Sequence, residues 1–310
     1  MVSIREIAKL TGYSPSTISR YINQSGYVSK EAAEMIQKVI SEKHYYPNQS
    51  AIDLSSGHTR KIGVVVPHTK HYYFTEIIRG MIEMALSSQY QLVILPSDYD
   101  VDKELAYLDQ LRSKALEAIV FTSRAISLET IESYQPYGQI VCLEKTDKPN
   151  LSSVYINRYT GYLGLFSYLK TKPIKRMALF FTRNDEISET YRETMSYCQN
   201  LLPSVSCHTF GHLSQYEDAT IAFNYLNLEE PFDCVLSNSD DLAAGLLEIY
   251  SEKGLTTPLI VSQEAQLSGK LQKIPSIKNQ TYRLGMKAFK AAISKDVKTQ
   301  SLSSTFLEKR

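Results

Sequence analysis

The stretch Ser3-Ile4-Arg5-Glu6-Ile7-Ala8-Lys9-Leu10-Thr11-Gly12-Tyr13-Ser14-Pro15-Ser16-Thr17-Ile18-Ser19-Arg20-Tyr21-Ile22-Asn23 reads as two short helices joined by a turn. Ser3 with Glu6 three residues later is a capping box, which starts the first helix at Ile4. Ile7, Ala8 and Leu10 give its apolar face, and Gly12 falls where a helix ending near Thr11 needs a left-handed residue. Ser14 caps the second helix, with Pro15 at a first position that needs no intrahelical N–H partner. Ile18 and Ile22, four apart, face the first helix and leave Ser16, Thr17, Ser19 and Arg20 outside. Short hydroxyls and one guanidinium suit base edges and phosphates, and the pattern is that of a helix-turn-helix. The plain alternative for this stretch alone is a capped helical hairpin with solvated hydroxyls.

Gln24-Ser25-Gly26 reads as a turn, and Ser29 then caps a third helix through about Lys43. Its apolar face holds Ala32, Met35, Ile36, Val39 and Ile40, and Tyr45-Tyr46-Pro47-Asn48 stops it. Residues 1–47 are thus an all-α three-helix head. It is small for a free-standing core, so a dimer or a DNA partner should support it. The polar stretch 48–61 has the composition of a linker. Its front, Gln49 to Leu54, is too short for a stable isolated helix.

From Ile62 the pattern becomes strands alternating with helices. Strands are expected at Ile62–Val66, Gln91–Leu95, Ala118–Phe121, Gln139–Leu143 and Val154–Ile156. A second series follows at Arg176–Phe181, Val205–Phe210, Cys234–Ser237 and Leu259–Val261, with a last strand at Ser304–Glu308. Helical spacing separates them, ending in a helix over Tyr282–Ile293. Strict alternation implies parallel sheets with right-handed crossovers, too many strands for one open sheet. The run divides near Asn157, giving an α/β core of two doubly wound parallel-sheet lobes over 62–310. The first lobe takes about 62–157 plus 282–296, the second about 158–281 plus 297–310. Ligands in such sheets sit beyond the carboxyl ends of the strands.

Composition narrows the class. Apolar residues at 43% and charged residues at 22% are ordinary for a globular chain. Residues 1–61 hold eight Lys/Arg against five Asp/Glu, leaving 26 against 28 elsewhere, a modestly basic head on a slightly acidic body. Cys142, Cys198, Cys207 and Cys234 show no CxxC or metal-ligand spacing and read as free thiols of a reducing compartment. No signal peptide and no membrane-length apolar run is present, so a cytoplasmic protein without membrane contact is expected. The six histidines form no HExxH, and no G-x-S-x-G elbow, P-loop or G-x-G-x-x-G occurs. No catalytic residue, cofactor or metal is called for.

In this order, helix-turn-helix, linker and two α/β lobes, the chain resembles the LacI/GalR family of bacterial transcription regulators over nearly its whole length. The head carries the clearest match: Ile7 to Ser14, Ser16 to Arg20, Gly26-Tyr27-Val28-Ser29, and Tyr46-Pro47-Asn48. Further matches are Ile62-Gly63-Val64-Val65-Val66-Pro67, Ala118-Ile119-Val120 and Asp240-Asp241-Leu242-Ala243-Ala244-Gly245. The resemblance implies a periplasmic-binding-protein-like core and a homodimer on a pseudo-palindromic double-stranded operator. It implies DNA contacts from Ser3, Ser14, Pro15, Ser16, Thr17, Ser19, Arg20, Asn23 and Tyr27, and from Asn48, Ala51 and Leu54 of a hinge that enters the minor groove. Where the family hinge reads Ala-Arg-Ser-Leu, this chain has Ala51-Ile52-Asp53-Leu54, and a usual Thr-Arg pair is Ala32-Ala33. Fewer cations near phosphate predict a weaker grip and a shallower salt dependence.

The resemblance also implies a small-molecule effector in the cleft between the lobes, a sugar or sugar phosphate. The matching positions are Tyr73, Phe74, Glu144, Asn157, Arg192, Ser239, Asp240 and Glu264, with Arg192 as the ligand clamp and Glu264 as the acceptor of sugar hydroxyls. Tyr73 and Phe74 read equally as aromatics capping the next helix. Arg158 and Lys145 would suit a phosphate. Together these expectations describe an operator-binding regulator, a repressor, switched by its effector. A ligand-independent DNA-binding regulator and a cytoplasmic sugar-binding protein are the competing readings.

Overall fold

The computed structural model describes residues 2–47, 52–53, 57–227 and 230–308. The expected hinge contacts Asn48, Ala51 and Leu54 lie outside the described residues. The chain forms two compact units, Met1–Thr59 and Arg60–Arg310.

The first unit packs α1 (Ile4–Thr11), α2 (Pro15–Asn23) and α3 (Lys30–Glu42). The local chemistry sets each boundary. Ser3 and Glu6 close a reciprocal capping box, and Gly12 ends α1 with φ 75°. Ser14 accepts from Thr17 N at 3.2 Å, and Ser29 from Ala32 N at 3.2 Å. Ile7, Ile18 and Ile36 are fully buried, with Ala8, Ala32 and Val39 around them. Leu10 and Met35, expected on the apolar faces, are instead 54% and 47% exposed. The buried arc of α1 runs through Ile7 and Ala8, and a core this small ends before it reaches either side chain.

In the second unit the strands are β1 (Lys61–Val66), β2 (Gln91–Pro96), β3 (Ala118–Phe121), β4 (Gln139–Cys142) and β5 (Ser152–Asn157). They continue as β6 (Arg176–Phe180), β7 (Ser206–Phe210), β8 (Cys234–Leu236), β9 (Leu259–Gln263), β10 (Ser276–Lys278), β11 (Thr299–Ser303) and β12 (Thr305–Leu307). The interleaved helices are α4 (Tyr72–Leu86), α5 (Val101–Arg112), α6 (Leu128–Ser133), α7 (Tyr159–Lys170) and α8 (Glu189–Leu201). After them come α9 (Ala219–Leu226), α10 (Asp240–Glu252), α11 (Leu267–Leu271) and α12 (Thr281–Ala292).

Two six-stranded sheets result, ordered β11-β5-β4-β3-β1-β2 and β12-β10-β9-β8-β6-β7. The first is parallel throughout, and the second is parallel except for β12 against β10. Apolar runs such as Ile62 to Val66 fit a sheet covered on both faces; Val64, registered with Ile94 and Val120, is fully buried.

One boundary differs from the sequence reading. The expected last strand over 304–308, with all of 297–310 in the second lobe, is two strands. Thr299–Ser303 extends the first sheet in register with Ser153–Asn157, and the chain then crosses at Ser304 so that only Thr305–Leu307 joins the second. Five polar residues, TQSLS, carry little strand signal, and pairing with β5 supplies what propensity does not. Strand β10 and helix α11, three and five residues long, are too short to show a periodicity and had no expectation.

Helix α12 returns to the first lobe and lies against α4. Two glycines permit the approach: a Cβ on Gly80 would stand 2.0 Å from the Tyr282 carbonyl oxygen, and one on Gly285 2.0 Å from that of Ile77. The four cysteines are free thiols, and no helix among the described residues is long and apolar enough to cross a membrane.

Candidate functional site

The carboxyl ends of the two sheets face a common cavity of about 120 Å³ within the second unit. Polar residues just past the strand ends line it. Tyr99 follows β2, Arg124 follows β3, Glu144 follows β4 and Arg158 follows β5. From the second lobe Arg183 follows β6, Asn238 follows β8 and Glu264 follows β9. This is the crevice that parallel α/β sheets offer to ligands.

Charge in the cavity is paired within the protein. Arg124 holds Glu144 through Nε and Nη2, a two-point geometry, and both side chains are largely buried. Arg183 holds Asp185 through Nε at 2.8 Å and Nη2 at 2.7 Å, and its guanidinium lies 4.2 Å from the centre of the Tyr99 ring. Arg158, buried, meets Glu193 at 3.0 Å and Glu189 at 3.6 Å. Burial pushes the Glu189 carboxyl up, against the pull of Arg158.

Glu264 is different. Its Oε1 accepts from Asn279 Nδ2 at 2.9 Å, and its buried Oε2 has no partner. Burial pushes its carboxyl up to about 7, with Asn279 and Arg158 pulling the other way and Asp240 adding to the rise. Its backbone is left-handed, φ 83°, as is that of Ala265, φ 50°, a conformation unfavourable to side chains with a Cβ. Asn238 Oδ1 and Arg158 Nε are also buried without partners.

On the first lobe, His71 caps α4 by accepting from Tyr73 N at 3.1 Å, and burial pushes its ring down to about 4. It is therefore neutral near pH 7. Phe74 packs edge-on against Tyr73, His68 and His71; the pair sits in the first turn of α4, which His71 caps, and lines the cavity.

Of the eight sequence-derived cleft residues, the structure brings together Tyr73, Phe74, Glu144 and Glu264. The others stand outside the lining. Arg192 is exposed and donates to the carbonyls of Glu186 and Ile187. At the start of helix α8 Glu189 and Thr190 line the cavity, Glu193 meets Arg158 one turn on, and Arg192 turns out. Asn157 uses Oδ1 to hold Tyr159 N at 3.0 Å, and the inward position passes to Arg158. Ser239 caps α10, while the fully buried Asp240 accepts from Ser262 and Ser276 Oγ, tying β9 to β10. Lys145 is exposed and stands outside the lining, and Arg158 is engaged by two carboxylates. Sequence reasoning missed Tyr99, Arg124, Arg183, Glu189 and Asn238. All but Glu189 sit within three residues of a strand end, which was the usable signal.

On the first unit, Ser14, Pro15, Ser16, Arg20, Asn23 and Tyr27 are exposed, Tyr27 by 89%. Thr17 and Ser19 are half-buried, and Asn23 Nδ2 donates to Ser19 Oγ at 3.2 Å. Ser3 and Ser14 spend their hydroxyls on caps, Ser14 also touching Ser16 Oγ at 2.7 Å and Thr17 Oγ1 at 2.9 Å. Arg20 lies along Gly26, its Cδ 3.4 Å from where a Cβ would be. This leaves an uncluttered exposed N-terminal face of α2, short enough for a groove wall to approach.

Residues 3–48 match the family model of bacterial regulatory proteins of the lacI family, and residues 59–292 that of periplasmic binding proteins and the sugar binding domain of the LacI family. The chain is 30% identical to Catabolite control protein B of Bacillus subtilis (strain 168), covering 93% of each. A transcriptional regulator of the LacI family from Silicibacter pomeroyi superposes with a TM-score of 0.79 at 18% identity, covering 100% of this chain and 98% of that one. The lac repressor dimer bound to operator and an anti-inducer superposes at 0.75 with 16% identity, covering 99% and 98%.

Proposed function

The chain belongs to the LacI family of bacterial regulatory proteins, and from that premise we propose that it is a repressor whose operator binding is switched by a small polar effector in the cleft of its second unit. The observation that carries the effector is the set of buried, unpartnered polar atoms on three residues that line the cavity: Glu264 Oε2, Asn238 Oδ1 and Arg158 Nε. Buried polar groups without partners are costly, and a polyol, which both donates and accepts, would satisfy all three. Residues 1–47 act as the DNA-binding head, 48–61 as the linker and 62–310 as the effector and dimerisation core. Two heads of a cytoplasmic homodimer take the two halves of a pseudo-palindromic site, each with α2 in a major groove. The exposed Ser16 and Arg20 read the DNA. Effector binding changes operator affinity only through its differential affinity for the two states of the core. The chain needs no catalytic step, cofactor or metal for this.

Selection of bound duplexes from a random pool, followed by gel-shift titration with and without sugars, tests the proposal. A palindromic consensus whose retention changes with one sugar supports it. Recovery of no consensus sequence sinks the operator reading. A consensus bound equally under every sugar leaves a ligand-independent regulator.

A further inference from the structure

The charges around the cleft do not balance. Arg124 is neutralised by Glu144, Arg183 by Asp185, and Arg158 by Glu189 and Glu193. Glu189 and Glu193 already share one guanidinium, and Glu264 has no ion pair among the described residues, so the excess in the cleft is negative. Glu264 is buried at the cavity wall, and its Oε1 accepts from the neutral amide of Asn279. Arg158 attracts it from β5's end, Asp240 repels it from α10, and Tyr72 and Tyr73 face it from α4. None of these cancels its burial, which holds the carboxyl well above the usual carboxylate range.

The open hydrogen-bonding positions point the same way. Two are acceptors, Glu264 Oε2 and Asn238 Oδ1, and one is a donor, Arg158 Nε. Asn238 has spent its Nδ2 on Thr182 Oγ1 at 2.9 Å. A phosphate brings only acceptors and negative charge, so it would meet one free donor beside an unbalanced carboxylate. A hydroxyl would satisfy the hydrogen bond and leave the charge. An ammonium group supplies both the donors and the countercharge.

Resting on the reading of this cleft as the effector site, we infer that the effector is an amino sugar, its ammonium against Glu264 and its hydroxyls on Asn238 and Arg158. Phosphorylated sugars are excluded from the same place.

The test is calorimetric titration of the full chain with matched sets: a hexosamine, its parent hexose, its N-acetyl derivative and its 6-phosphate, for the gluco, galacto and manno series. One hexosamine should bind at least about tenfold more tightly than its three counterparts. Glu264→Gln should abolish that preference while keeping weak binding of the neutral hexose, and Asn238→Ala should weaken the whole set without changing its order. A neutral or phosphorylated sugar binding most tightly, or a preference that survives Glu264→Gln, overturns the inference and leaves the effector site standing. No binding by any member, with both variants folded by circular dichroism, removes the effector-site reading and the inference with it.

Discussion

Arg183 Nη1 donates to the main-chain carbonyl of Arg124 at 2.9 Å, a bond from the second lobe to the first at the edge of the cleft. The same guanidinium stacks on Tyr99 of the first lobe and is oriented by Asp185. The cleft is therefore clasped by the protein's own side chains. Arg183→Ala should loosen it, at a cost of about 1–3 kcal/mol. Hydrogen exchange should quicken at 97–100 and 122–126 and stay constant in the head. Unchanged exchange in both loops would mean that the clasp contributes nothing.

Glu104 is fully buried on α5, where its Oε2 accepts from Ala125 N at 2.8 Å and Ile126 N at 3.1 Å. These amides directly follow Arg124, whose Nη1 in turn holds the Ile126 carbonyl at 2.8 Å. Glu104→Ala leaves two amides unsatisfied and should destabilise the core by about 2–4 kcal/mol. Urea unfolding measures it, and a loss under about 0.5 kcal/mol would show that water replaces the carboxylate.

Stability should also depend on pH through the cleft. The Glu264 carboxyl sits at about 7 in the folded chain against an ordinary 4.5. Its contribution is complete below about pH 4.5 and is lost as pH rises toward 7, about 3 kcal/mol in all. His71, pushed down to about 4 by burial, works in the other direction: its contribution is present above 6.5 and lost as pH falls toward 4. Glu264→Gln should flatten the fall between pH 4.5 and 7 in urea midpoints. An identical slope in the variant would show that the carboxyl ionises freely.

The α4–α12 contact admits no side chain at its centre. Gly285→Ala drives a methyl into the Ile77 carbonyl, so the helices must part, at a cost of about 3 kcal/mol or more. A melting temperature within a degree of wild type, measured by calorimetry, would contradict the close approach.

In the head, Ser14→Ala should cost about 1 kcal/mol of stability through loss of the α2 cap. Arg20→Ala should instead weaken operator binding with little effect on unfolding, because its side chain is exposed. Arginine at 52 with serine at 53 should tighten binding and steepen its salt dependence. Gel shifts across salt concentrations separate these outcomes, and equal slopes for wild type and the double variant would remove the argument from hinge charge.

Much of the fold was legible because its signals are short-range. The Ser3–Glu6 box, the Ser14 cap with Pro15, and Gly12 at φ 75° each lie within four residues of the helix end that they define. The strands were legible where they are apolar, as at Ile62–Val66, and illegible where they are polar, as at Thr299–Ser303. The cleft was harder. Glu264 and Arg192 were both placed there by the resemblance; Glu264 lines the cavity just after β9, whereas Arg192, on a helix that Ser188 caps through Tyr191 N, is exposed and turns back to the carbonyls of Glu186 and Ile187.

The sequence by itself determined the helix-turn-helix, the alternation of strand and helix, and the chain's membership of its family. It did so because caps, turns and periodicity act over a few neighbouring residues. Tertiary structure alone decided which polar loop residues meet. Arg183 reaches the Arg124 carbonyl across 59 positions, and Asn279 holds Glu264 across 15. Only once the two sheets bring their carboxyl ends together does Arg183 meet the Arg124 carbonyl, and do Tyr73, Glu144, Glu189 and Glu264 come to line one cavity.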